Sequence, residues 1–179
     1  METVIKRETI YEGRIVNLYV ETVQLPDGHT TQREIIRHGG AVALVPLHED
    51  GRVTLVRQYR LAAGRELLEV PAGTLEPGED PLACAARELQ EEAGLHPGSL
   101  TRLGGFFVAP GYSSEYIHVY LATELTPSSR RGDEDEFLEV ITVPLDEALA
   151  LIEQEEIADA KTISALLWVA RHLAQREQP

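Results

Sequence analysis

The stretch from Gly73 to Leu95, GTLEPGEDPLACAARELQEEAGL, constrains the fold more than any other part of the chain. Its second half predicts a helix: Asp80 suits the amino-terminal cap, Pro81 the first helical position and Gly94 the left-handed residue that closes the carboxyl end. Leu82, Ala86, Leu89 and Ala93 recur at helical spacing and predict one narrow apolar stripe to bury. Glu88 and Glu92 lie four apart, and Glu91 three from Glu88 on the same side. Each like-charge pair at such spacing costs about 0.2–0.5 kcal/mol, so a functional role for the three needs a compensating cation. Carboxylate oxygens suit a hard ion such as Mg²⁺, which keeps several waters and shares its remaining sites with phosphates. The alternative is an ordinary solvated face with Arg87 as local relief.

The run does not stand alone. Gly73, Glu79, Arg87, Glu88, Glu91, Glu92 and Gly94, with Leu89 and Leu95 at apolar positions, fit G-x5-E-x7-R-E-U-x-E-E-x-G-U, where U is apolar. Seven fixed positions match by accident with a probability on the order of one in 10⁸ per start site. The stretch resembles the Nudix box at every defined position. That resemblance implies an α/β fold, an α/β/α sandwich with a mixed sheet, and hydrolysis of a nucleoside diphosphate linked to another group with Mg²⁺ or, as substitute, Mn²⁺. It also implies that Glu88 and Glu92 are the main metal ligands, Glu91 an additional catalytic or second-metal ligand, and the carbonyl of Ala72 a further one. Arg87 and Glu79 are expected to brace the loop and helix as an ion pair.

The 179 residues suffice for one domain with a substantial core. A formal charge of −14 disfavours nucleic acid or an anionic membrane as partner. Only Lys6 and Lys161 are lysines and neither sits in a P-loop pattern, so phosphates must be met by arginine and metal. The single cysteine, Cys84, excludes an intrachain disulfide and reads as packing. Six histidines show no zinc spacing. The amino end lacks a signal-length apolar run and no stretch approaches a membrane span, so a cytoplasmic location is expected.

Residues 1–38 are expected to form an amino-terminal antiparallel β meander and residues 39–179 the hydrolase domain. Thr3 to Arg37 alternates apolar and polar residues, with Gly13 ending the first run and Pro26-Asp27-Gly28 turning into the third. Such a small sheet needs a partner surface, and in the group this chain resembles, the segment packs on or exchanges with a second subunit, implying a homodimer. Ala41–Pro46 and Val53 to Val56 read as central strands joined as a hairpin through His48-Glu49-Asp50-Gly51. Arg57 and Arg60 follow, placed where guanidinium forks could face phosphates. The run from Arg57 to Gly73 and the stretch REIIRHGG, with Arg33 and Arg37, resemble the ADP-ribose pyrophosphatase branch of the family.

Pro110 lies fifteen positions beyond Leu95, and with Gly111, Ser114 and Glu115 resembles the marker of ADP-ribose hydrolases. Tyr112, seventeen beyond Leu95, resembles instead the marker of diadenosine polyphosphate hydrolases, and could also stack on an adenine. Asp133-Glu134-Asp135-Glu136 precedes an apolar strand from Phe137 to Val143 and resembles the acidic loop that supplies the general base, with Glu134 as first choice and Glu136 as second. Helices are expected over Asp146 to Gln154 and Asp159 to Gln175, the latter with a broad apolar stripe.

Together these imply a homodimeric ADP-ribose pyrophosphatase. One to three Mg²⁺ ions sit on Glu88, Glu91 and Glu92, substrate meets Arg33, Arg37, Arg57, Arg60, Pro110, Gly111, Tyr112 and Glu115, and a metal-activated water, with Glu134 as base, releases AMP and ribose 5-phosphate. The alternatives are a hydrolase of another nucleoside diphosphate sugar or dinucleotide, and a non-catalytic nucleotide sensor.

Overall fold

A computed structural model describes residues 1–129 and 138–176. They divide into two units, Met1–Gly40 with Phe106–Tyr116, and Ala41–Gly105 with the remainder from Ile117. In the first unit, β1 (Thr3–Glu12), β2 (Asn17–Gln24) and β3 (Thr30–Arg37) form an antiparallel sheet in chain order, with irregularities in β1 between Val4 and Lys6 and between Thr9 and Tyr11. The Pro26-Asp27-Gly28 turn reverses the chain as expected: Gly28 takes φ 89°, a value that favours glycine. Glu21 of β2 is buried between Arg7 of β1 (2.7 Å) and Arg37 of β3 (3.1 Å). Burial raises the Glu21 carboxyl, but the two guanidinium groups outweigh it and hold it below the usual range.

The loop after Phe106 joins this unit, a grouping that chain order alone does not show. The Ile36 amide donates to the Tyr112 carbonyl (2.7 Å), the Ser114 amide to the Ile36 carbonyl (2.9 Å), and the His38 amide to Ser114 Oγ (3.0 Å).

In the second unit a mixed four-stranded sheet runs in the order β7 (Ala72–Thr74), β4 (Ala41–Pro46), β9 (Tyr116–Pro127), β8 (Leu95–Phe107). β4 pairs parallel with β9 and antiparallel with β7. β4 is buried throughout, as its continuous apolar sequence requires. Val42 and Leu44, with Tyr120 and Ala122, face Cys84, Ala85 and Leu89 of α1 (Pro81–Ala93). Alternate residues of β4 face the other way, where α3 (Ala160–Arg176) packs through its buried Ala165, Leu166 and Val169. This is the expected α/β/α sandwich. A second, antiparallel sheet holds β10 (Glu139–Pro144), β5 (Arg52–Arg60) and β6 (Arg65–Glu69), and α2 (Leu145–Glu153) packs on β5, β10 and α3. No helix among the described residues is long and apolar enough to cross a membrane.

Three details differ from expectation. β4 and β5 are not a hairpin: they lie in different sheets, joined by a single bridge from Leu47 to Val53, because β4 finds its partners in β7 and β9. β8 was not expected at all, since Pro97, Gly98, Gly104 and Gly105 interrupt its apolar pattern. The buried face of α1 is Cys84, Ala85, Leu89 and Glu92, while Leu82 is 48% exposed. The stripe is rotated because the helix docks its Glu92 side on the backbone of β7.

Candidate active site

The site grows from α1 and the strand before it. Asp80 Oδ1 accepts from the amides of Leu82 (2.9 Å) and Ala83 (3.3 Å), a cap that stabilises the helix by about 1 kcal/mol. Gly94 closes it at φ 64°. Within this frame the Arg87 fork gathers acids: Nε and Nη2 donate to the two oxygens of Glu79 (3.0 Å each), and Nη1 donates to Glu88 Oε1 (2.7 Å) and Glu91 Oε2 (2.9 Å). The expected brace between Arg87 and Glu79 is therefore present, and the same cation relieves repulsion on the acidic face.

The Arg87 hydrogen bonds bring the Glu79 carboxyl down from 4.5 to about 2. A carboxyl whose folded value is depressed contributes stability that is present above its unfolded value and lost as pH falls through the folded one. Melting temperature is accordingly expected to drop between about pH 4.5 and pH 2, with a shallower acid limb in Glu79→Gln. Equal slopes in the two proteins would show that this pair does not carry the effect.

The remaining contacts lead to β7. Glu92, only 7% exposed, accepts the Ala72 amide hydrogen on Oε2 at 2.9 Å. Gly73 sits against the Glu88 carboxylate so closely that a β-carbon there would collide with it. Two carboxylates thus meet the Ala72-Gly73 backbone, Glu92 through the amide and Glu88 through the seat that glycine leaves, and Glu91 shares the Arg87 guanidinium with Glu88. Among the described residues, no three acidic, histidine or cysteine side chains are drawn up as a ready ligating group. The donors are nonetheless all carboxylate oxygens, the set a hard divalent cation takes, and the glycine seat keeps one of them against the backbone. By donor chemistry the residues fit such an ion. Cys84 beside them is fully buried, with burial first and the neighbouring Glu79 and Glu88 pushing its thiol up to about 12, which suits packing and not nucleophilic work.

The segment entering β7 is held from a direction that sequence spacing did not reveal. Glu69, almost fully buried, takes two hydrogen bonds from Arg60 (2.8 and 2.7 Å) and one from Lys161. Burial pushes the Glu69 carboxyl up, but Arg60 and Lys161 outweigh it and leave it below the usual range. The Val70 amide donates to Thr162 Oγ1 at 2.9 Å, and the Leu44 amide to the Pro71 carbonyl at 2.9 Å. The DAKT start of α3 gave no hint of this, because no local rule links residue 162 to residue 70.

The arginines expected at the substrate are placed as follows. Arg57 and Arg60 both lie within β5, which pairs with β6 without a register break, so their odd separation turns them to opposite faces. Arg60 is engaged by Glu69, while Arg57 is exposed, 3.7 Å from Glu139, and lines a cavity of about 480 Å³ with Glu66, Leu68 and Glu156. In the first unit Arg33 pairs with Glu2 at 2.7 Å and Arg37 with Glu21. Pro110, Gly111 and Tyr112 are exposed in the loop laced to Ile36, and the Glu115 carbonyl there accepts from Val108 at 3.2 Å. Glu134 and Glu136 lie outside the described residues.

Comparison with known proteins adds an independent line. The family model described as NUDIX domain matches residues 37–166, and that described as nucleoside diphosphate sugar hydrolase N-terminal domain matches residues 2–36. The chain is 44% identical to an ADP-ribose pyrophosphatase of Bacillus subtilis over 94% of its own length and 92% of that protein's. It is 42% identical to a methanol dehydrogenase activator of Bacillus methanolicus, with the same coverage. A crystal structure of an ADP compounds hydrolase superposes with a TM-score of 0.87 at 28% identity, covering 99% of this chain and 97% of that one.

Proposed function

Because this chain belongs to the Nudix family of hydrolases, we propose that it cleaves the diphosphate of ADP-ribose to give AMP and ribose 5-phosphate. The observation that carries the reading is the meeting of Glu92 and Glu88 with the Ala72-Gly73 backbone, with Glu91 tied to Glu88 through Arg87. The names borne by the Bacillus subtilis relative and by the structural neighbour favour an adenosine diphosphate over other nucleotides.

Glu88, Glu91, Glu92 and the carbonyl of Ala72 would hold Mg²⁺, with Mn²⁺ as substitute. When bound, it would neutralise the diphosphate and acidify the attacking water. The residues of the chain have separate tasks around it. Ala72 donates its amide to Glu92 and so orients that carboxylate, and Arg87 restrains Glu88 and Glu91. Glu134, or failing it Glu136, takes the proton of the attacking water as the phosphorus–oxygen bond of the diphosphate breaks. Arg33, Arg37 and Arg57 are assigned to phosphate contact, and Pro110, Gly111, Tyr112 and Glu115 to the remainder of the substrate. Arg60 joins the three arginines, and contact would require it to leave Glu69, as it would require Arg37 to leave Glu21 and Arg33 to leave Glu2.

A homodimer is part of the same proposal. Every residue of β1 is exposed, including Val4, Ile5, Ile10 and Tyr11, apolar side chains that a second subunit would cover.

The test is incubation with Mg²⁺ or EDTA and a panel of ADP-ribose, ADP-glucose, GDP-mannose, NADH and diadenosine polyphosphates, with products separated by chromatography and the mass in solution compared with 19.8 kDa. ADP-ribose should be cleaved fastest, only with metal, by a particle of twice that mass. Faster cleavage of another compound would discard ADP-ribose and keep the metal chemistry. Metal-independent binding with no product from any compound would favour a nucleotide sensor, and a particle of single mass would remove the dimer.

A further inference from the structure

Thr162 is fully buried in the first turn of α3, and its hydroxyl joins two partners. It accepts the Val70 amide hydrogen at 2.9 Å and donates to Asp159 Oδ2 at 2.6 Å. The same Asp159 oxygen accepts from the Thr162 amide (3.0 Å) and from Lys161 Nζ (2.9 Å), and Lys161 reaches on to Glu69. Val70 lies between the last residue of β6 and the first of β7, where strand pairing stops, so its buried amide depends on a side chain for an acceptor. Two residues further on, the Ala72 amide donates to Glu92, and at the next position Gly73 seats Glu88.

We propose that Thr162, fixed by Asp159 and Lys161, is a positioning residue for the metal-binding carboxylates: by holding Val70 it fixes, together with the pairing of β7 on β4, the place at which Ala72 and Gly73 meet Glu92 and Glu88. The inference rests on the reading that those glutamates bind a divalent cation. The geometry favours control of the site over simple bracing for two reasons. The tie is made in the two-residue gap between β6 and β7, where the Val70 amide has a side chain for its acceptor and the Leu44 amide holds the Pro71 carbonyl. The residues downstream of it contact two proposed ligands directly, so a small displacement of residue 70 is passed to both. Glu69, gripped by Arg60 and Lys161, holds the other side of the same peptide and makes the support two-sided.

The test uses the full chain and Mn²⁺ as probe, with free Mn²⁺ followed by electron paramagnetic resonance and melting temperature recorded without metal. Thr162→Val keeps the shape and removes the hydroxyl, Thr162→Ser keeps the hydroxyl, and Glu92→Gln serves as reference. Thr162→Val should weaken Mn²⁺ binding by roughly 10–100-fold, the effect usual for an outer partner of a metal's ligands. Thr162→Ser should restore it, and raised Mn²⁺ should recover the turnover of Thr162→Val. A lowered melting temperature with wild-type Mn²⁺ affinity would overturn the proposal and leave Thr162 as a fold residue only. Should Thr162→Val not fold, Lys161→Met decides: weaker binding supports the proposal and unchanged binding overturns it. Wild-type protein that binds no Mn²⁺, indistinguishable from Glu92→Gln, would overturn the metal reading itself and the positioning role with it.

Discussion

Glu92→Gln is expected to keep the fold and to lower turnover by roughly 10²-fold or more, since even the outer partners of metal ligands are worth about 10–100-fold. Glutamine has the length of glutamate and still offers a carbonyl oxygen to the Ala72 amide, so the buried hydrogen bond survives. What is lost is the negative charge and, on the proposed metal reading, one hard ligand oxygen. Glu92 is also the only one of the three box glutamates that is buried. A charge placed there is costly for folding alone and calls for a compensating role. Circular dichroism and melting temperature should match wild type within about 1 kcal/mol, as expected when a buried hydrogen bond is retained, while kcat collapses. Undiminished kcat at equal metal would remove Glu92 from the reaction.

Gly73→Ala is expected to separate activity from stability more sharply. No left-handed φ is recorded at Gly73, so alanine meets no backbone strain there. The added methyl collides with the Glu88 carboxylate, which is the far end of a flexible side chain and can swing away at little cost to the fold. The displaced carboxylate then no longer lies against β7. Turnover should fall on the order of 10²-fold, as for other removals of a preorganised charge. A double-mutant cycle with Glu88→Ala identifies the cause, because removing the carboxylate removes the collision. Gly73→Ala should therefore cost almost nothing further in the Glu88→Ala background. Additive losses would mean that Gly73 acts through something other than Glu88.

Much of this was legible from the chain. Asp80, Pro81 and Gly94 mark the ends of α1 by local chemistry, and the structure keeps all three in those roles. The meander announces itself by alternation and by the Pro26-Asp27-Gly28 turn, and β4 by an unbroken apolar run. The ion pair of Arg87 with Glu79 was accessible through the box pattern alone. Less accessible was β8, whose glycines and proline erase the period that would reveal it. The rotation of α1 was hidden for a different reason: hydrophobicity placed Leu82 inside and Glu92 outside, whereas the Ala72 amide, with the Arg60 charge acting on the same carboxylate, helps to make burial of Glu92 tolerable.

The sequence by itself determined the family, the helix with its caps and the acids that can serve a cation, because each depends on spacing within one element or one loop. Tertiary structure alone decided that Arg57 and Arg60 face opposite sides of β5, that Arg60 is taken by Glu69, and that Thr162 holds Val70 across 92 residues of chain. Those outcomes depend on which strands pair and which buried polar group lacks a partner nearby. A buried amide must find an acceptor wherever the fold can supply one, and no local pattern records where that will be.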